Sequence, residues 1–169
     1  MAINKILKVP ITNSLMGRGS YPANNKYIIC MLGMHGTYQA KMAMHNADLI
    51  IAIGARFDDR ITNTPALFAP KARIIHIDVD PASISKIINA DIPIVGQVKE
   101  SLTALIKEIK RSKLKMDSDA LDLWNSQIAT WRAKHGLDHD LYLKKTKSKM
   151  ILPQVVVQEL YQATNGNAW

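Results

Sequence analysis

Cysteine is almost missing from this 169-residue chain, with Cys30 as the single example. That excludes an internal disulfide framework and any cysteine-built zinc cluster, and it suits a reducing compartment. Cys30 falls inside the apolar run Tyr27–Met31, where a buried, inert thiol is the plain reading and a nucleophile the alternative. Aromatic residues are scarce as well, at 6%. None interleave with the lysine clusters, so the base-stacking surface of a nucleic-acid binder is not indicated. The longest apolar run, Leu49–Ile53, is far short of the roughly 20 residues that cross a bilayer. The first eight residues carry Lys5 and Lys8 and lack the apolar core of a secretory signal. A cytoplasmic chain with neither a membrane nor a nucleic acid as partner is expected.

What the chain does have is an ordinary globular balance, 47% hydrophobic and 21% charged, enough to bury a core and too apolar for disorder. The formal charge is +8. Residues 1–106 carry 11 basic and 7 acidic side chains, and residues 107–149 carry 11 and 6. The basic clusters at Lys107–Lys115 and Lys144–Lys149 flank helical segments and read as solvated helix ends and a linker.

Residues 1–106 alternate short apolar runs with glycine-, proline- or asparagine-marked turns. Strands are expected near Lys8–Thr12, Tyr27–Met31, Leu49–Ile53, Ile74–Asp78 and Pro93–Val95. Such near-continuous apolar strands are typical of a parallel sheet buried on both faces. A short helix is expected over Thr37–His45. Another short turn of helix is expected after Asp80, with Asp80 as cap and Pro81 at the first helical position. Val98–Arg111 is amphipathic, with Leu102, Leu105, Ile106 and Ile109 on one face. The polar break at Ser112–Ser118 marks a domain edge. A helix over Asp119–Lys134 follows, on which Trp124 and Trp131 read as packing residues. A charged linker then covers Gly136–Lys149, and a helix from Leu152 to Thr164 ends at Asn165–Gly166. The fold class is α/β, a doubly wound parallel sheet with a C-terminal helical linker. The expected domains are 1–112, 113–150 and 151–169.

Three loops stand out because each follows an apolar strand, where doubly wound folds place nucleotide ligands. Leu32–Gly33–Met34–His35–Gly36–Thr37–Tyr38 brackets two residues with glycines between a strand and a helix. It suits close approach of main-chain amides to an anion, or simply a tight structural turn. In Gly54–Ala55–Arg56–Phe57–Asp58–Asp59–Arg60, Arg56 and Arg60 could fork onto phosphate while the aspartates orient them or accept from ribose hydroxyls. A surface turn with local ion pairs is the alternative. In His76–Ile77–Asp78–Val79–Asp80–Pro81, an acid at a strand end could accept from a ribose, and nothing nearby completes a metal site. Thr12–Gly17 is a further loop after a strand. Methionines 31, 34, 42 and 44 read as core filler able to pack on flat rings.

Taken together, Pro10–Gly17, Met31–Tyr38, Met44–Asp48, Gly54–Arg60, His76–Pro81 and Ala90–Gly96 resemble the central, flavin-binding domain of the acetolactate synthase large catalytic subunit. The similarity runs over essentially the whole chain, Trp124–Trp131 included. It implies that Thr12, Leu15 and Met16 line FAD, that Leu32, Gly33, Met34 and His35 contact it along its length, and that Gly54, Ala55, Arg56, Asp58 and Arg60 hold its ribityl and phosphate portion. Asp78 and Val79 would meet the adenosine end. Asp59 and Arg60 would also lie near the channel to the active site. Gly96–Gln97–Val98 departs from the family's usual Gly-Asp-Ala and lacks its carboxylate.

The resemblance further implies a parent that uses thiamine diphosphate and Mg²⁺, with flavin in a largely structural role. That parent decarboxylates pyruvate and adds the two-carbon unit to a second 2-oxo acid, pyruvate or 2-oxobutanoate, in branched-chain amino-acid biosynthesis. It would form a homodimer with a regulatory small subunit. The activating glutamate of the family's amino-terminal domain, the Gly-Asp-Gly magnesium motif and a glycine-rich first strand are expected to be absent here. The chain is accordingly expected to be a fragment without catalytic residues or synthase activity of its own. The alternative is a non-catalytic nucleotide- or flavin-binding or interaction module. An NAD-dependent deacylase of similar fold would need a cysteine zinc cluster that one cysteine cannot supply.

Overall fold

The computed structural model describes residues 2–113, 115–136 and 151–167. They fall into two compact units, Met1–Lys134 and His135–Trp169. The first unit contains α1 (Ala2–Leu7), β1 (Ile11–Asn13), β2 (Ile28–Met31), α2 (Tyr38–Asn46), β3 (Leu49–Ile53), α3 (Asp59–Thr62), a 3₁₀ turn at Pro65–Leu67, β4 (Arg73–Asp78), β5 (Ile92–Val95), α4 (Val98–Arg111) and α5 (Ser118–His135). All strand pairings are parallel, in two sheets of order β1-β2 and β3-β4-β5.

The three-stranded sheet is regular. Leu49 through Ile53 pair one for one with Arg73 through Ile77, and Ile75 through Asp78 pair with Ile92 through Val95. These runs are rich in β-branched residues, which suit a pleated, half-buried surface. Burial is unequal on the two faces of β3: Ile50 and Ala52 are buried, whereas Leu49 and Ile53 are exposed. The two-sided burial expected from the apolar run is therefore only half realised, because the helices cover one face of this strand and leave the other open. The two-stranded sheet is irregular, its register shifting between Ile11 and Asn13. Cys30 adopts a left-handed φ of 67° there, and its thiol is half-buried.

Two apolar clusters carry the unit. One gathers Ile29, Leu32, Ala40, Ala43 and Ile128, with Trp124 and Trp131 against it. The other gathers Ile50, Ala52, Phe57, Ala69 and Ile74. Met44 on α2 and Phe68 after the 3₁₀ turn pack against both. The Trp124 and Trp131 rings meet edge to face at 5.7 Å, as favourable aromatic pairs do. Because Ile128 belongs to the β2 cluster, α5 packs within the first unit, and the division between the compact units falls at residues 134/135.

Other elements differ from expectation for local reasons. The first helix, Ala2–Leu7, was not foreseen; left-handed Lys8 (φ 53°) ends it and delays the strand to Ile11. Thr37 caps α2 instead of starting it, its hydroxyl accepting from the Ala40 amide. Asp80 does start the expected short turn: its carboxylate accepts from the Ala82 amide at 2.9 Å and the Ser83 hydroxyl at 3.0 Å, the bonding of a capping residue, and the turn stops where Ser85 goes left-handed. The expected linker at 137–149 lies outside the described residues. In the second unit, α6 (Pro153–Thr164) has proline in its first turn and ends on left-handed Asn165 and Gly166.

Candidate functional site

Every strand in each sheet runs the same way, so the loops after β1, after β2, after β3 and after β4 leave from carboxyl ends. The β2 and β3 loops meet directly: the Met34 amide donates to the Arg60 carbonyl at 2.8 Å. A Cβ at Gly33 would overlap that same carbonyl oxygen, and Gly33 sits at φ 90°, so glycine is required there on two counts. On the other sheet, the Gly54 amide donates to the Ile77 carbonyl at 2.8 Å and the Gly96 amide to the Asp78 carbonyl at 2.9 Å. Gly33, Met34 and Arg60 are thus brought together, as are Gly54 and Asp78 through adjacent rungs of the β3–β4 ladder.

The β2 loop offers side chains more than amides. Met34, Gly36 and Thr37 amides are already engaged, by the carbonyls of Arg60, Gly33 and Met31. The amide cradle for an anion that the glycine spacing suggested is to that extent spent on internal bonds. Met34 and His35 instead project their side chains into solvent. Positive charge for an anionic group comes from the β3 loop, where Arg56 and Arg60 are both exposed.

Apolar surface accumulates at these carboxyl ends. Leu15 is 66% exposed, Met16 92%, Met34 55% and Val79 57%. Large apolar side chains left this open mark surface awaiting a cover, and methionine adapts well to a flat ring. Leu15 and Met16 are carried on a loop held by its own bonds, including Asn13 Nδ2 donating to the Gly17 carbonyl at 3.1 Å. The Thr12 hydroxyl turns inward and donates to the Cys30 carbonyl at 2.7 Å. Leu32 is buried in the β2 cluster and acts as an anchor for the loop. Ala55 is half-buried against the β3 cluster.

The acids behave differently from one another. Asp78 is buried, and its Oδ1 accepts from the Asp80 amide at 2.9 Å. Asp58 begins α3 through its carbonyl, which accepts from the Ile61 and Thr62 amides at 3.0 and 2.9 Å. Its side chain makes no cap bond, and Oδ1 is buried with no partner. An unpartnered buried carboxylate oxygen is costly and calls for a donor. Asp58 shares its loop with the exposed Arg56 and Arg60, which supply positive charge at that strand end.

Some residues of note carry no signal in sequence. His76 is fully buried, neither ring nitrogen has a partner, and Phe57 stacks edge to face on it at 5.1 Å. Phe57 itself takes a left-handed φ of 53°, which the motif alone does not announce. Among the described residues, no three His, Cys, Asp or Glu side chains are grouped to hold a metal. Also among them, no helix is long and apolar enough to cross a membrane.

Residues 2–105 match the family described as thiamine pyrophosphate enzyme, central domain. The chain is 45% identical over 163 residues to the acetolactate synthase isozyme 3 large subunit of Escherichia coli, covering 96% of this chain and 28% of that protein. It is likewise 45% identical over 163 residues to the acetolactate synthase large subunit of Haemophilus influenzae, covering 96% and 27%. To the chloroplastic acetolactate synthase 1 of Nicotiana tabacum it is 40% identical over 162 residues, covering 95% and 23%. The chain therefore spans between a fifth and a third of the length of these relatives.

Proposed function

The chain belongs to the central-domain family of thiamine pyrophosphate enzymes, and from that premise we propose that it is the flavin-holding part of an acetolactate synthase large subunit. The observation that carries the reading is the 45% identity over 96% of the chain to large subunits of that enzyme. The exposed Leu15, Met16, Met34 and Val79 support it, as do Arg56 and Arg60.

In this reading the flavin ring lies on Leu15, Met16 and Met34, with Thr12, Leu32, Gly33 and His35 shaping the wall. Gly54, Ala55, Arg56, Asp58 and Arg60 hold the ribityl and phosphate portion, the arginines through charge-assisted bonds and Asp58 through its free oxygen. Asp78 and Val79 meet the adenosine. Bound FAD supplies mainly a rigid filler between the loops. The parent carries thiamine diphosphate and Mg²⁺, condenses two pyruvates or pyruvate with 2-oxobutanoate, and works in the cytoplasm as a homodimer with a regulatory small subunit.

The test is titration of the purified chain with FAD, followed by flavin fluorescence, beside an assay for acetolactate. Saturable quenching without acetolactate formation is the expected result. No saturable binding would remove the flavin assignment, and acetolactate production would overturn the restriction to a cofactor-holding role.

A further inference from the structure

The main-chain bond between the two loops does more than close a gap. Arg60 sits in α3, a helix of only 4 residues. A helix that short is not self-supporting, so its position depends on what ties it down. One tie is internal to the loop: the Thr62 hydroxyl, on a buried residue, donates to the Asp58 carbonyl at 3.0 Å. The other reaches out of the loop, from the Met34 amide to the Arg60 carbonyl. The second bond exists only because residue 33 has no side chain, since a Cβ there would also come within 3.1 Å of the Ile61 Cα. The loop that supplies the amide is itself braced at its far end, where Thr37 donates to Met31 through its amide and to Ile29 through its hydroxyl at 2.8 Å.

We propose that this clamp fixes the Arg60 guanidinium relative to the exposed Met34 and His35 side chains, so that Gly33 is a positioning residue for the flavin. The proposal rests on the flavin reading given above. Gly33 touches the ligand's affinity through Arg60: it keeps the cationic and the apolar halves of the site at a constant separation. Ile61 also packs on the Leu32 cluster, so without the bond the loops stay near one another but Arg60 shifts relative to Met34, and a rigid ligand that needs both at once binds less well.

Gly19 provides the matched control. Its φ is 89° against 90° for Gly33, yet a Cβ at Gly19 would meet nothing within 4 Å. Gly33→Ala and Gly19→Ala therefore both place a side chain at a left-handed φ, and only the first displaces the Arg60 carbonyl. The experiment compares the unaltered chain with both variants by amide hydrogen exchange and by FAD titration. In the unaltered chain the Met34 amide should be protected although its side chain is exposed. Gly33→Ala should lose that protection, speed exchange in the α3 segment, and weaken FAD by about tenfold or more, with altered visible absorption of the bound flavin. Gly19→Ala should leave all of these unchanged.

A freely exchanging Met34 amide in the unaltered chain overturns the clamp whether or not either variant folds. So does loss of protection in Gly33→Ala with unchanged FAD affinity, or equal weakening in both variants. If the unaltered chain binds no FAD, the flavin reading falls and with it the positioning role. The exchange data then still decide whether the two loops are joined.

Discussion

The two sheets of the first unit are built on different principles. In β3-β4-β5 each strand carries its own argument for being a strand, in the runs Leu49–Ile53 and Arg73–Asp78, and the register is unbroken. In β1-β2 the strands are 3 and 4 residues long and the register slips. That pair leans on α5, which arrives about a hundred residues later in sequence. Arg132 donates to the Ile28 carbonyl at 2.6 Å, Asn125 reaches the Lys8 carbonyl at 3.4 Å, and Ile128 fills the space above Ile29. A long, β-branched strand supports itself through its neighbours, whereas a short irregular pair needs a helix to satisfy its outward groups. Loops from both kinds of sheet meet where the Met34 amide donates to the Arg60 carbonyl.

The contrast can be broken most severely in the self-sufficient sheet. Ile77, the penultimate residue of the central strand β4, is fully buried, and Ile77→Ala should cost about 2–5 kcal/mol in chemical denaturation. Protection should fall in both sheets together. If the loss stayed within β3-β4-β5, the sheets would be energetically separate.

A smaller and more selective effect is expected from Arg132→Ala. It removes the guanidinium from the Ile28 carbonyl and should cost about 1–2 kcal/mol. Amide exchange should rise more across Ile28–Met31 than across Leu49–Ile53. Uniform change in both segments would contradict the dependence of the short sheet on α5.

The smallest effect belongs to a surface pair that touches neither sheet. Glu108 and Arg111 on α4 meet at 2.7 Å, and the guanidinium holds the Glu108 carboxyl below its ordinary value of 4.5. A depressed carboxyl contributes above that ordinary value and loses its contribution as pH falls through the folded one. The pair is solvated and screened, so Glu108→Gln should barely move the thermal midpoint at neutral pH. Whatever difference exists should vanish in acid. A large shift at neutral pH, or one that grew on acidification, would give α4 a weight the geometry does not.

Legibility in the sequence followed the same divide. Leu49–Ile53 and Val98–Arg111 are written locally, in an apolar run and a 3.6-residue period, and both elements have the bounds those patterns predict. The turn after Asp80 is announced by its capping aspartate and goes no further because Ser85 takes a left-handed φ of 58°. The helix over Ala2–Leu7 is only 6 residues long, too short for its apolar spacing to stand out, and its packing partner α4 is remote in sequence. The glycines of Leu32–Tyr38 advertise a tight turn, and a tight turn is what forms there. That the turn spends its amides on Arg60, Gly33 and Met31 depends on a carbonyl 26 positions away in the Arg60 case, which no short window contains.

Met44 and Phe68 each touch both apolar clusters, and this sharing governs how the unit comes apart. Two clusters joined by common side chains cannot melt one after the other without first exposing those residues on one side. The shared pair therefore converts two small cores, each meagre alone, into one cooperative transition. A single change at either of these two positions is felt by both clusters at once.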